Sequence, residues 1–140
     1  MSPSTRRGFT LIEMLVVIVV IAILAGLVGP LVFRNVGDAR VSAAKAQIEI
    51  FGLALDQYRL DNDYYPSTGQ GLEALRSMPQ GDPPARNWRG PYLRKAVPLD
   101  PWGRGYVYRS PADSNAAGYD LVCYGRDGQP GGTGEDADIR

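Results

Sequence analysis

Hydrophobic and polar positions follow two different rules along this chain. From Phe9 to Phe33 the sequence is apolar almost throughout, with Thr10 and Glu13 its only strongly polar residues. As a helix this stretch rises roughly 37 Å, enough to cross a bilayer core of about 30 Å. Further on the pattern becomes periodic. Val41, Ala44, Ile48, Phe51, Leu55 and Tyr58 recur in steps of three and four, while Lys45, Gln47, Glu49, Asp56 and Arg59 fall largely off that stripe. The spacing predicts one helix continuing to about Leu60, its distal half burying the stripe against a small sheet. Gly26, Gly29 and Pro30 interrupt the apolar half, and Pro30 predicts a kink because proline removes one helical hydrogen bond.

Beyond Leu60 the breakers Asn62, Asp63 and Pro66 end the helix. "TGQGLEAL" predicts a short helix from about Gly69 to Arg76, and six prolines from Pro79 to Pro101 punctuate an irregular loop. Trp88, Tyr92 and Trp102 are expected to anchor that loop, which has few other large apolar side chains. "GYVYRS" (Gly105–Ser110) and "YDLVCYG" (Tyr119–Gly125) read as strands, with a third expected near Leu93–Val97. A long helix on a small antiparallel sheet is an α+β fold.

Charge changes the picture at the N-terminus. Arg6 and Arg7 precede the apolar run, so the positive-inside bias holds the N-terminus in the cytoplasm and puts the rest outside. A cleaved secretory signal fits less well: its apolar core runs only ~7–15 residues, and "AILAG" (Ala22–Gly26) is a poor cleavage site. A plain signal anchor explains the length but not Glu13. An acid inside a membrane segment costs roughly 2.5–3.5 kcal/mol, so a partner is expected. No Lys or Arg lies between Arg7 and Arg34 to supply one. Cleavage after Gly8 would create an α-amine on Phe9, and the amine of a neighbouring copy would then lie near the depth of Glu13.

Composition removes several functions. The chain holds 15 basic and 15 acidic residues, so no overall basic field points to nucleic acid. With no His and one Cys, Cys123, it lacks the commonest general base, an internal disulfide and a thiolate metal cluster. No nucleophile–base pair for an enzyme can be assembled from these residues. Cys123 reads as a small buried hydrophobe. The tail "GRDGQPGGTGEDADIR" carries Asp127, Glu135, Asp136 and Asp138 among glycines. Such oxygen donors suit calcium, but the EF-hand pattern is missing, and composition alone favours a solvated acidic tail.

"RRGFTLIEMLVVIVVIAILAGL" resembles the N-terminal signal of type IV pilins and type II secretion pseudopilins. "YRLDNDYYPSTGQGLEAL", "WRGPYLRKAVPLDPWGRGYVYRSP" and "YDLVCYGRDGQPGGTGEDADI" are similar to the major pseudopilins in particular, so the resemblance spans nearly the whole chain. It implies a pilin-like fold and three segments: a leader, residues 1–8; a transmembrane and polymerisation half-helix, residues 9–33; and a periplasmic domain, residues 34–140. A prepilin peptidase is then expected to cut after Gly8, Phe9 to be N-methylated, and Glu13 to guide assembly by pairing with a neighbour's N-terminus. The expected partners are further copies of the chain, minor pseudopilins, the secretion assembly platform, the prepilin peptidase and the inner membrane. Where the chain has Cys123 that family more often has Ser. The resemblance also implies one calcium in the C-terminal loop, held by the carboxylates of Asp127 and Asp136 and the carbonyls of Tyr124 and Gln129, with Asp138 as an alternative ligand. Two other readings stay open: a type IV pilin for adhesion or motility, and a monomeric membrane-anchored calcium-binding domain. The single cysteine forbids the C-terminal disulfide usual in type IV pilins, which favours the pseudopilin.

Overall fold

The computed structural model describes residues 8–113 and 117–140. The expected leader, residues 1–8, lies outside the described residues apart from Gly8. The chain divides into two compact units, Met1–Gly37 and Asp38–Arg140. Helix α1 (Leu11–Asn62) belongs to both.

In the first unit α1 starts behind Thr10. The Thr10 side chain accepts the backbone N–H of Glu13 at 3.2 Å, and the Thr10 carbonyl accepts that of Met14. The helix runs through Pro30 without a break, as membrane-type helices with proline do. Its large apolar side chains from Leu11 to Leu27 are exposed along their whole length. The helix is long and apolar enough to cross a membrane.

In the second unit the predicted stripe is the core face. Ala44, Phe51, Leu55 and Tyr58 are fully buried, and Val41 and Ile48 are half-buried. Asp63, with φ of 70°, ends the helix: its N–H donates back to the Arg59 carbonyl, the usual left-handed stop. The short helix expected at Gly69–Arg76 is a 3-10 turn at Leu72–Leu75 that buries Leu72, Ala74 and Leu75.

Strands β1 (Val107–Arg109) and β2 (Asp120–Val122) pair antiparallel, with Val107 opposite Val122 and Arg109 opposite Asp120. Both are shorter than the sequence pattern predicts. The third strand expected near Leu93–Val97 does not form, so the sheet has two strands among the described residues. Backbone groups there are satisfied otherwise: the Leu75 carbonyl accepts the N–H groups of Tyr92 and Leu93, and the Arg76 guanidinium donates to the carbonyls of Leu93 and Arg94. The proline-rich loop is tied down as expected. Trp88 donates its indole N–H to the Ala74 carbonyl at 2.9 Å, and Tyr92 donates to Asp61 at 2.8 Å. The third expected anchor, Trp102, packs on a second small cluster of Ala44, Cys123 and Ile139.

Candidate functional site

Two places carry the residues singled out by sequence. The first is the start of α1. Gly8, Phe9 and Glu13 are all exposed, and no atom lies within 4 Å of a Cβ placed on Gly8. Glu13 lies in the first turn, three residues after the capping Thr10. Thr10-Leu-Ile-Glu13 therefore has the spacing of a capping box, in which the N-cap hydroxyl takes the N–H of the fourth residue. The sequence carried that signal. A carboxylate at a helix N-terminus also meets the positive end of the helix dipole. Glu13 is thus compatible with its own helix and remains open to a cation from outside.

The second place is the C-terminal loop, Tyr124–Arg140. Its two ends are joined by a β-bridge: Cys123 and Ile139 exchange N–H···O=C bonds, both at 2.9 Å. The buried Ile139 side chain carries that bridge into the cluster with Ala44. Inside, Arg126 donates its backbone N–H to the Glu135 carbonyl at 2.8 Å, and Asp138 donates to the Gly131 carbonyl. Glycines permit the reversal. Gly125 and Gly132 have φ of 59° and 79°, and a Cβ on Gly132 would lie 2.3 Å from the Asp136 carbonyl oxygen.

The five expected metal ligands share this loop, and hydrogen bonds within it already engage four of them. Asp127 accepts the Gln129 N–H at 3.0 Å. The Tyr124 carbonyl accepts the Gly128 N–H at 3.1 Å. Asp138 accepts the Gly131 N–H at 2.9 Å, with Arg140 at 3.6 Å from its other oxygen. Asp136 is taken at both oxygens by Arg126, Nε to Oδ1 at 2.9 Å and Nη2 to Oδ2 at 3.0 Å. Among the described residues no three His, Cys, Asp or Glu side chains are grouped to hold a metal. The donor set, all oxygen on a glycine-rich loop, suits calcium. The obstacle is the guanidinium on Asp136.

Two arginines escaped sequence reasoning. Arg104 donates to the carbonyls of Gly125 and Arg126 at 2.8 and 2.7 Å, spanning 22 residues or fewer of sequence. Arg126 pairs with Asp136, whose hydrogen bonds, and then whose charge, raise the guanidinium above its ordinary pKa. Neither contact has a local spacing signal.

Beneath the loop, Cys123 donates its thiol to Asp100 at 3.4 Å. The buried Asp100 also accepts the N–H groups of Trp102 and Arg104 with its other oxygen. Burial, with the Asp100 hydrogen bond and charge beside it, pushes the thiol up to about 11 from 9.0. A raised pKa means the folded state keeps its proton longer. The associated stability is complete below pH 9 and fades as pH rises towards 11. In Cys123→Ser, which keeps a donor for Asp100, the loss of stability between about pH 9 and 10 should shrink, as read from denaturant midpoints at each pH. An unchanged pH profile would show that the thiol does not titrate in this window.

Comparisons with known proteins follow the same division. Residues 3–29 match the prokaryotic N-terminal methylation motif, and residues 31–140 match the family described as type II secretion system (T2SS), protein G. The type II secretion system core protein G of Pseudomonas aeruginosa is 46% identical over 99% of this chain and 96% of its own length. That of Vibrio cholerae is 46% identical over 96% and 90%. The crystal structure of the major pseudopilin from the type 2 secretion system of enterohaemorrhagic Escherichia coli superimposes with a TM-score of 0.61, at 37% identity, covering 74% of this chain and 89% of that one. A methylation-motif helix together with an α+β domain of this kind defines a pilin-like secretion subunit. The chain belongs to the type II secretion system protein G family. It is a pseudopilin, a structural subunit of type II secretion, rather than a type IV pilin for adhesion or motility.

Proposed function

We propose that this pseudopilin is cut after Gly8, methylated on Phe9, and polymerised through α1 into a periplasmic fibre that helps move folded proteins across the outer membrane. The observation that carries the reading is the N-terminal half of α1, apolar and exposed from Leu11 to Leu27, with Glu13 in its first turn. The apolar face suits lipid before assembly and neighbouring copies after it. In the first setting the helix anchors the chain in the inner membrane, leaving residues 34–140 in the periplasm. In the second Glu13 needs a cation from outside, and the α-amine of a neighbour's Phe9 supplies one at matching depth. Its specific partners are then other copies, minor pseudopilins, the assembly platform and the prepilin peptidase. Calcium belongs to the same reading: a divalent cation drawing together Asp127, Asp136 or Asp138 and the carbonyls of Tyr124 and Gln129 would stiffen the tail. The oxygen chemistry of the loop and its existing closure support this.

Glu13→Ala is the test. Membrane levels of the chain should stay near wild type, while fibre recovered by shearing from cells with an intact secretion system falls at least about tenfold, the equivalent of one ion pair of roughly 1.4 kcal/mol. Normal fibre from Glu13→Ala would sink the pairing. Mass spectrometry of the same material should find methylated Phe9 at the N-terminus, and an intact Met1 would rule out processing.

A further inference from the structure

We propose that Arg126 is the loop's own counter-cation: its guanidinium holds Asp136 when calcium is absent and competes with calcium for that carboxylate. The inference rests on the calcium reading above and concerns what sets its affinity. Three contacts carry it. The fork of Arg126 takes both oxygens of Asp136 at 2.9 and 3.0 Å, the bidentate geometry that makes arginine–carboxylate pairs strong and directional. The Arg126 backbone N–H is bonded to the Glu135 carbonyl, so the two arms of the loop are already in register beside the pair. The Arg126 carbonyl is held by Arg104 at 2.7 Å, which fixes the base from which the side chain reaches.

The guanidinium therefore performs the neutralisation that a divalent ion would perform. It draws an acidic arm onto the opposite arm and offsets the repulsion among Asp127, Glu135 and Asp136. Calcium cannot use Asp136 bidentately while both oxygens face the fork, and a fixed positive charge beside the site also repels the cation. The Arg126 side chain is more than half exposed, so water screens the pair and solvates the guanidinium when it swings away. The result is a loop closed without metal that exchanges one cation for the other.

The experiment uses the full chain in detergent, with calcium chloride titrated calorimetrically into wild type, Arg126→Ala and Arg126→Lys. Arg126→Ala should bind calcium about fivefold more tightly, the factor an exposed ion pair can withhold. Arg126→Lys, which keeps the charge but not the fork, should fall between. Thermal unfolding supplies a second readout: Arg126→Ala should melt below wild type in chelator and gain more from calcium. Equal affinities for wild type and Arg126→Ala, or weaker binding by Arg126→Ala, would overturn the competition while leaving the calcium reading intact. Binding by Arg126→Ala alone would support it in its strongest form. No binding by any of the three at millimolar calcium would overturn both.

Discussion

Phe51→Ala is expected to lower the thermal unfolding midpoint of the full chain in detergent by at least about 12 °C. Phe51 is fully buried in the core cluster that also holds Leu55, Tyr58 and Leu121. Its ring meets Tyr106 edge to face, with centroids 5.1 Å apart and planes at 79°. Truncating a buried phenylalanine removes its transfer energy and leaves a cavity, together about 3–5 kcal/mol. Aromatic edge contacts add about 0.5–1.5 kcal/mol to such losses. For a domain of this size, 1 kcal/mol moves the midpoint by about 4–8 °C. Leu53→Ala is the control. It lies two residues away on the same helix, yet Leu53 is 72% exposed, and surface changes usually stay within about 0.5 kcal/mol. Similar shifts for the two variants would mean that the buried face of α1 has been assigned to the wrong side.

That face was readable from sequence because helical periodicity is local. Six residues at steps of three and four are enough to orient a helix: four of them are buried, and Val41 and Ile48 pack against the core from its edge. The apolar N-terminal run was readable for the same reason. What failed was decided at a distance. Leu93–Val97 has strand-like composition, but the Leu75 carbonyl and the Arg76 guanidinium claim its backbone groups. No pattern within the segment announces that competition. Gly105–Ser110 and Tyr119–Gly125 were recognised as strands but overextended, since pairing holds for only three residues on each side.

The functional residues divide in a similar way. Glu13 stood out because a carboxylate in an apolar run is costly, and the run is visible in one line of sequence. Thr10 was visible too, through its spacing to Glu13, but its capping role was overshadowed by the membrane reading. Arg104 and Arg126 had no such signal. Their roles arise only after Gly125, Gly128 and Gly132 turn the chain back at positive φ and bring residues 104, 126 and 136 together. The oxygen donors of the tail were recognisable by type. The cation already resting on one of them was not.

The glycines that make this reversal can be tested against one another. Gly132→Ala should destabilise the loop by about 2–4 kcal/mol, whereas Gly131→Ala should cost only about 1–2 kcal/mol. Both residues adopt left-handed backbone, with φ of 98° at Gly131 and 79° at Gly132, so a side chain is strained at either. They differ in space. A Cβ on Gly131 meets nothing within 4 Å, while one on Gly132 would lie 2.3 Å from the Asp136 carbonyl oxygen and 2.8 Å from its carbon. Backbone cannot step aside as a flexible side chain can, so the Asp136 arm must move. That movement would pull Asp136 from Arg126 and strain the Cys123–Ile139 bridge, through which the loop reaches Ala44 on α1. Hydrogen exchange gives the readout. Gly132→Ala should lose protection at the amides of Cys123, Arg126 and Ile139, and Gly131→Ala should largely keep it. Equal losses in the two variants would show that backbone conformation alone, and not the close approach of the two arms, holds this loop shut.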